Sequence, residues 1–290
     1  MGTVAAPDWI GITRELMTGY VARPRVEVLD STREHAVLRV DAPGTRHVLK
    51  LARSDARPAV DYARTASAHR LAEAAGVPVA AVVAVGDDGV LQHLLQEHVE
   101  GVDWRHVRPQ LDAAEIETAS TDIARAVLRI QSVTLPSWGS LDDPGGRTLL
   151  DALHDRIALR TRREDRRALA QAVLDRHADL FAEPVVPTLT HDDLHHANLL
   201  FRPHATGWRL AAVLDWDKAW AGPPESDVAR MAFWDDMTDP VFWSVYRHDR
   251  PAADGWRERA AVYQLLWCLE YDMPTPRHQR DTAALLARLT

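Results

Sequence analysis

Only one cysteine, two lysines and one asparagine occur among the 290 residues of this chain. A single cysteine, Cys268, rules out an intrachain disulfide and any cage of several thiolates around a metal. It lies in the apolar run Leu265-Leu266-Trp267-Cys268-Leu269, where a buried thiol fits better than a nucleophile. No apolar window approaches the roughly 20 residues that a bilayer-spanning helix needs. The start, Met1-Gly2-Thr3-Val4-Ala5-Ala6-Pro7, lacks the basic-then-apolar pattern of a secretory leader. A cytoplasmic protein without a membrane partner is expected. Basic residues are outnumbered, with Lys+Arg 34 against Asp+Glu 42 and a formal charge of -8. A duplex binder needs a basic face to release counterions, so no nucleic-acid partner is expected. Because only two of the 34 basic residues are lysines, arginine dominates, and with abundant Ala and Asp this matches a GC-rich coding sequence.

What is present is a chain with 46% hydrophobic residues, long enough for one large domain or two lobes. β-like stretches open it at Val26 to Leu29, Ala36 to Val40 and Thr45 to Ala52, with Asp41-Ala42-Pro43-Gly44 as a hairpin turn. In the third stretch Lys50 shares a face with Val48, opposite Leu49 and Leu51. A helix is predicted from Tyr62 to Ala75, stopped by Gly76, followed by strands Val79 to Val85 and Val90 to Val99. Beyond Gly101 the pattern turns helical. Asp112 with Glu115 forms a capping box, and Ile116, Ala119, Ile123, Val127 and Ile130 keep helical spacing. Helices are predicted over 147–181, then strands at 185–190, 199–201 and 209–214. Two further helical regions are separated by a Pro- and Asp-rich stretch at 235–255. The fold class expected is α+β: an N-terminal nucleotide-binding lobe with a small antiparallel sheet (1–100) and a mostly helical catalytic and substrate-binding lobe (101–290).

The scarce residues fall where one chemistry needs them. Asn198 lies five positions after Asp193 in His191-Asp192-Asp193-Leu194-His195-His196-Ala197-Asn198, Lys50 ends an apolar stretch, and Asp215 follows the β-like run Ala212-Val213-Leu214. Phosphoryl transfer from Mg-ATP asks a protein for positioning and charge neutralisation. One carboxylate must orient the acceptor hydroxyl and take its proton, the role assigned to Asp193. Mg2+ prefers oxygen ligands and keeps several waters, so Asn198 and Asp215 with the phosphates suffice. Lys50 supplies a point charge to the phosphates.

His191 to Leu200 resembles the His-Gly-Asp-Leu-His-x-x-Asn-Leu-Leu signature of the aminoglycoside phosphotransferase family, whose fold is that of protein kinases. Val213 to Ala229 resembles that family's metal-binding Asp segment and its Gly-x-Pro-x-x-Asp-hydrophobic-Ala trailer. The resemblance extends over about 25–235. It implies an ATP- and Mg2+-dependent kinase acting on a small-molecule antibiotic, with Asp193 as base, Asn198 and Asp215 on Mg2+, and Lys50 on phosphate. It also implies a structural Asp227 bracing the catalytic loop and a hinge at Gln96, Glu97, His98 and Val99 meeting adenine. His191 fits a loop-bracing role.

Several positions depart from the family pattern. Asp192 replaces Gly, His196-Ala197 replace Pro-Gly, and Gln131 stands where His is common. The turn Ser31-Thr32-Arg33-Glu34-His35 has no glycine, leaving Ser31 as the best phosphate contact there. The helix Glu expected to pair with Lys50 falls at Thr65, with Glu73 or Asp61 as substitutes. Asp235, Asp236 and Asp239, and later Glu270 and Asp272, are either the lining of a pocket for a cationic, polyhydroxylated acceptor or a solvated face. Of Trp216, Trp220, Trp234, Trp243, Trp256 and Trp267, most are expected in the core, with one or two stacking on substrate. Other readings are a choline- or sugar-type metabolic kinase, a nucleoside or macrolide antibiotic kinase, an ATP-binding pseudokinase, and a metallohydrolase built on His191, His195 and His196.

Overall fold

The structure, a computed structural model, describes residues 7–56, 59–142, 145–182, 185–205, 207–271 and 274–289. It begins with a helix not expected from the sequence, α1 (Trp9–Met17), whose N-cap Asp8 accepts the Gly11 amide. Strands β1 (Arg25–Ser31), β2 (His35–Ala42) and β3 (Thr45–Arg53) follow as antiparallel neighbours. Helix α2 (Tyr62–Ala74) leads to β4 (Val82–Asp87) and β5 (Leu91–Glu97), giving a five-stranded sheet in the order β1-β2-β3-β5-β4.

Leu49 and Leu51 of β3 are buried with Leu38, Val40 and Leu95 beneath Trp9 and Met17 of α1. The period-2 pleat then turns Val48 and Lys50 to the opposite face, as expected. A one-residue slip would drive the ammonium into this apolar cluster, so burial fixes the register that aims Lys50.

The rest is mostly helical. In chain order come β6 (Val102–Asp103), α3 (Trp104–Val107), α4 (Ala113–Ile130), α5 (Leu149–Arg160) and α6 (Glu164–Arg176). Next are β7 (Thr188–Thr190), β8 (Leu199–His204), β9 (Gly207–Val213) and β10 (Trp220–Gly222). The chain closes with α7 (Pro224–Met231), α8 (Pro240–Asp249), α9 (Trp256–Leu269) and α10 (Pro276–Leu289). The capping box at Asp112 and Glu115 forms. One expectation is corrected: the stretch at 235–255 contains α8. Asp239 caps it by accepting the Phe242 amide and Pro240 sits at its first turn, so the residues read as a break are a helix start.

Helix α4 is the spine. Ile123, Val127 and Ile130 pack with Phe242 and Tyr246 of α8 and with Phe201 and Val213 of the β8–β9 hairpin. That hairpin closes the loop 191–198 and returns the chain at Leu214. The Val213 amide donates to the Pro78 carbonyl at 2.8 Å, tying the end of β9 to the segment between α2 and β4.

His69 of α2 is a second tie, buried, with its Nε2 accepting from the Gln96 side-chain amide at 2.9 Å. Burial, aided by Lys50, lowers its pKa from 6.5 to about 3, so the folded protein holds it neutral. Below about pH 6.5 the unfolded chain binds this proton and the folded one does not, so stability falls with pH. The expected loss from His69 is about 2 kcal/mol on going from neutrality to about pH 5. Urea midpoints at the two pH values check this, with a smaller drop for His69→Gln.

Candidate active site

Loop 191–198 is built around a buried carboxylate. Asp227, in the first turn of α7, accepts the His191 amide at 2.9 Å and the Asp192 amide at 2.6 Å. His191 donates from Nε2 to the Leu214 carbonyl at 2.7 Å and accepts the Asp193 amide at Nδ1, at 3.1 Å. That pattern requires the neutral Nε2–H tautomer, and burial favours it by lowering the ring's pKa. Asp192 has φ +60°, the left-handed region where a glycine has no side-chain penalty. Aspartate is among the residues that tolerate this region best. Its carboxylate pairs with Arg156 and its carbonyl accepts from Arg230. The departure from glycine therefore carries its own compensation.

Asp193 is almost wholly buried and held by two cations. Arg230 Nη2 lies 2.6 Å from Oδ1 and Lys218 Nζ 3.1 Å from Oδ2. Burial alone would raise its pKa, but Arg230 and Lys218 outweigh that and hold the group far below the usual carboxylate range. Asn198 donates from Nδ2 to the Asp193 carbonyl at 2.9 Å, which leaves Oδ1 able to accept or to ligate. Asp215 follows β9 with φ +64°, and its Oδ1 lies 2.7 Å from Lys50 Nζ. Lys50 holds Asp215 ionised against the opposing effect of burial.

Lys50 thus finds its partners in one short segment: Asp215, and Asp217 Oδ2 at 3.0 Å. Neither acid suggested on α2 serves. Asp61 caps that helix by accepting the Arg64 amide at 2.9 Å, and Glu73 is exposed. Thr65 is buried with its hydroxyl donating to the Asp61 carbonyl at 3.1 Å.

A cavity of about 1130 Å³ runs between sheet and helices. Lys50, Asn198, Asp215, Asp217 and Lys218 line it, as do Gln96, Glu97, His98 and Val99. The Glu97 and His98 amides are engaged by the Ala81 and Arg46 carbonyls. Among the described residues the Val99 amide has no protein acceptor, so it is left able to donate to a ligand in the cavity. Ser31 pairs with Ala36 at the end of β1 and lies outside the cavity lining, whereas Asp30, Thr32 and Arg33 line it.

Of the expected acceptor-pocket acids, Glu270 alone among the described residues lines the cavity. Asp235 is paired with Arg277 at 3.0 Å and Asp236 with Arg108 at 3.0 Å, both exposed and away from the lining. Asp272 lies outside the described residues. Trp216 packs against His191, with ring centroids 4.6 Å apart, and is a core residue as expected.

Sequence reasoning missed Arg230, Lys218, Asp217 and Arg156. Two signals were available: Lys218 is the other lysine, and Arg230 shares a helix face with Asp227 by i,i+3 spacing. Arg230 is 4% exposed, so Arg230→Leu leaves the buried Asp193 charge half neutralised. The expected loss of stability is about 3–5 kcal/mol. Chemical denaturation checks it, with Arg230→Lys losing less.

The donor set fits Mg2+. Asn198 Oδ1 and the Asp215 carboxylate are oxygen donors facing one cavity, and a triphosphate and water would complete the shell. Among the described residues no three His, Cys, Asp or Glu side chains converge as a protein-built cage requires. The histidines serve the loop itself: His195 Nδ1 accepts from the Ala197 amide and His196 Nε2 bonds the Asp235 carbonyl. No helix among the described residues is long and apolar enough to cross a membrane.

Two lobes around a cleft, a lysine strand, an Asp–Asn loop and a strand-end Asp define a kinase-like small-molecule phosphotransferase acting on hydroxyl groups. The sequence profile of the phosphotransferase enzyme family (APH) matches residues 25–263, and the chain belongs to that family. No curated protein matches the sequence. Among solved structures, a thermostable mutant of aminoglycoside phosphotransferase APH(4)-Ia, in ternary complex with AMP-PNP and hygromycin B, is similar. It shares 20% identity over 96% of each chain, with a TM-score of 0.67. The streptomycin–ATP complex of APH(2")-IIa shares 17% identity over 98% of this chain and 97% of that one, with a TM-score of 0.63. The choline kinase LicA from Streptococcus pneumoniae shares 17% identity over 97% of this chain and 100% of that one, with a TM-score of 0.65.

Proposed function

We propose that this enzyme transfers the γ-phosphoryl group of ATP directly to a hydroxyl of a small-molecule antibiotic in the cytoplasm, and so confers resistance to it. The observation that carries the reading is the convergence of Lys50, Asn198 and Asp215 on one cavity, with Asp193 bonded to Asn198 through its own backbone. In this reading residues 1–100 form the nucleotide lobe and 101–290 the catalytic and acceptor lobe.

Lys50 binds the phosphates, and the hinge 96–99 meets adenine. Asp193 orients the acceptor hydroxyl. Its oxygen forms the new P–O bond as the bond to the β,γ-bridging oxygen breaks, ADP leaves, and the hydroxyl proton passes to Asp193. A base held so far below neutrality takes that proton late, so its main contribution is alignment. Mg2+ bound by Asn198 and Asp215 would neutralise the charge on the phosphates. Asp227 and His191 keep the loop in the geometry that aims Asp193.

The likeness to APH(4)-Ia and APH(2")-IIa supports an antibiotic acceptor. The comparable likeness to a choline kinase supports a second reading, a metabolic kinase of the same architecture. Mass spectrometry of an antibiotic panel with choline and simple sugars, each incubated with Mg-ATP, separates the two. One added phosphate on an antibiotic, matched by ADP, is the expected result. Preference for choline or a sugar overturns the antibiotic reading, and absence of ADP with every acceptor overturns the kinase.

A further inference from the structure

We infer that the acceptor end of the cleft recognises an anionic group, a carboxylate or phosphate carried by the hydroxylated substrate, through Arg160 and Lys218. The inference deepens the phosphotransferase reading and rests on it.

The adenine hinge marks one end of the cavity, and Glu270, Tyr271, Arg160 and Lys218 line it beside Asp193. Arg160 is the last residue of α5 and donates from Nη2 to the Lys218 carbonyl at 3.2 Å. Among the described residues no carboxylate lies within ion-pairing distance of its guanidinium. One turn earlier, Arg156 is already paired with Asp192. Glu270 comes no closer to Arg156 than 3.9 Å, and among the described residues it is the one acid of the expected set at this end. Asp193 cannot serve as counter-charge for Arg160, because Arg230 and Lys218 occupy both of its oxygens. The acids that would attract a cation, Asp235 and Asp236, are paired elsewhere.

A guanidinium drawn out of water without a carboxylate is unfavourable until an anion arrives. Burial lowers the pKa of both Arg160 and Lys218, and the charges of Glu270 and Asp193 offset it only in part. The fork of Arg160 matches a planar carboxylate or a phosphate face. The same anion would draw the Lys218 ammonium off Asp193 Oδ2, freeing that oxygen for the acceptor hydroxyl. Substrate charge would thereby expose the aligning group. The ATP phosphates have their own partners in Lys50 and the metal-ligating oxygens. Arg160 instead comes from the helical lobe, and Glu270 and Tyr271 follow the end of α9 there.

The test uses full-length protein, Mg-ATP and acceptors matched in scaffold but not in charge: glycerol, glycerate and serinol; glucose, gluconate and glucosamine; and, as reference cations, choline and hygromycin B. ADP release gives kcat/KM for each. The acid of each set is expected to lead its neutral and cationic counterparts by about tenfold or more. Arg160→Gln is expected to raise KM for that acid about tenfold while changing KM for ATP by less than about twofold. Preference for a neutral or cationic acceptor overturns the inference and leaves the kinase standing. A rise in KM for ATP instead of the acceptor also overturns it, by assigning the guanidinium to the nucleotide. Failure of every acceptor to release ADP overturns the kinase reading and this inference together.

Discussion

Asp193→Asn is expected to turn over its best acceptor about 100- to 10,000-fold more slowly than the wild type while binding Mg-ATP with unchanged affinity. The substitution keeps the volume and one oxygen but removes the charge proposed to orient the acceptor hydroxyl and receive its proton. In the proposed reading nucleotide affinity comes from Lys50, the segment 96–99 and Asp215, which line the cavity, whereas Asp193 does not line it. The variant also strands Arg230, so a lower unfolding temperature accompanies the loss. Equal melting of Asp193→Asn and Arg230→Leu with unequal activity would separate alignment from folding. The pH profile adds a sign. Arg230 and Lys218 hold Asp193 ionised far into acid, so its protonation contributes no fall in rate as pH drops through the ordinary carboxylate range. An acid limb near neutrality would assign the proton acceptor to another group.

The second large effect is expected at Asp215. Asp215→Asn removes the carboxylate proposed to face the phosphates and is expected to lower kcat/KM about 100- to 1,000-fold, in line with the loss of one preorganised electrostatic group. Lys50 then keeps only Asp217, at 3.0 Å, and swings toward it. Because Asp217 remains, the ammonium stays ionised and the fold is retained. Asp217→Asn, which leaves Asp215 in place at 2.7 Å from Lys50, is expected to lose less. The order Asp215 before Asp217 is the discriminating result, and the reverse order would make Asp217 the principal phosphate-side acid.

The residues proposed for catalysis could be picked out in advance because each sits on a local pattern. Alternation fixed the face of Lys50, and the run from His191 to Asn198 lies between strands whose hydrophobicity marks them. Even the departure at Asp192 pointed to a real feature, a left-handed residue at the bend. The cations around Asp193 were hidden for a physical reason. Arginines are so numerous in this chain that none stands out. The pairing of Arg230 with Asp193 spans 37 positions, and no local spacing encodes it. The Lys50 partner was sought on α2, yet the ammonium pairs with Asp215 and Asp217, 165 and 167 positions away. The acid clusters misled in the opposite way. Asp235 and Asp236 look like a pocket in one dimension, but arginines from α10 and from the turn after α3 neutralise them on the surface. Helix α8 was missed because Asp and Pro mark helix starts as well as breaks.

The central claim is that Asn198 and Asp215 hold a magnesium-bound triphosphate in the cleft that Lys50 faces. Calorimetric titration of the non-hydrolysable analogue AMP-PNP into the wild type and Asp215→Asn, each with Mg2+ and with EDTA, tests it without any acceptor. The account predicts that Mg2+ tightens binding to the wild type by about tenfold or more and that Asp215→Asn abolishes this gain. Equal affinity with and without Mg2+, or a gain that survives in Asp215→Asn, would contradict it.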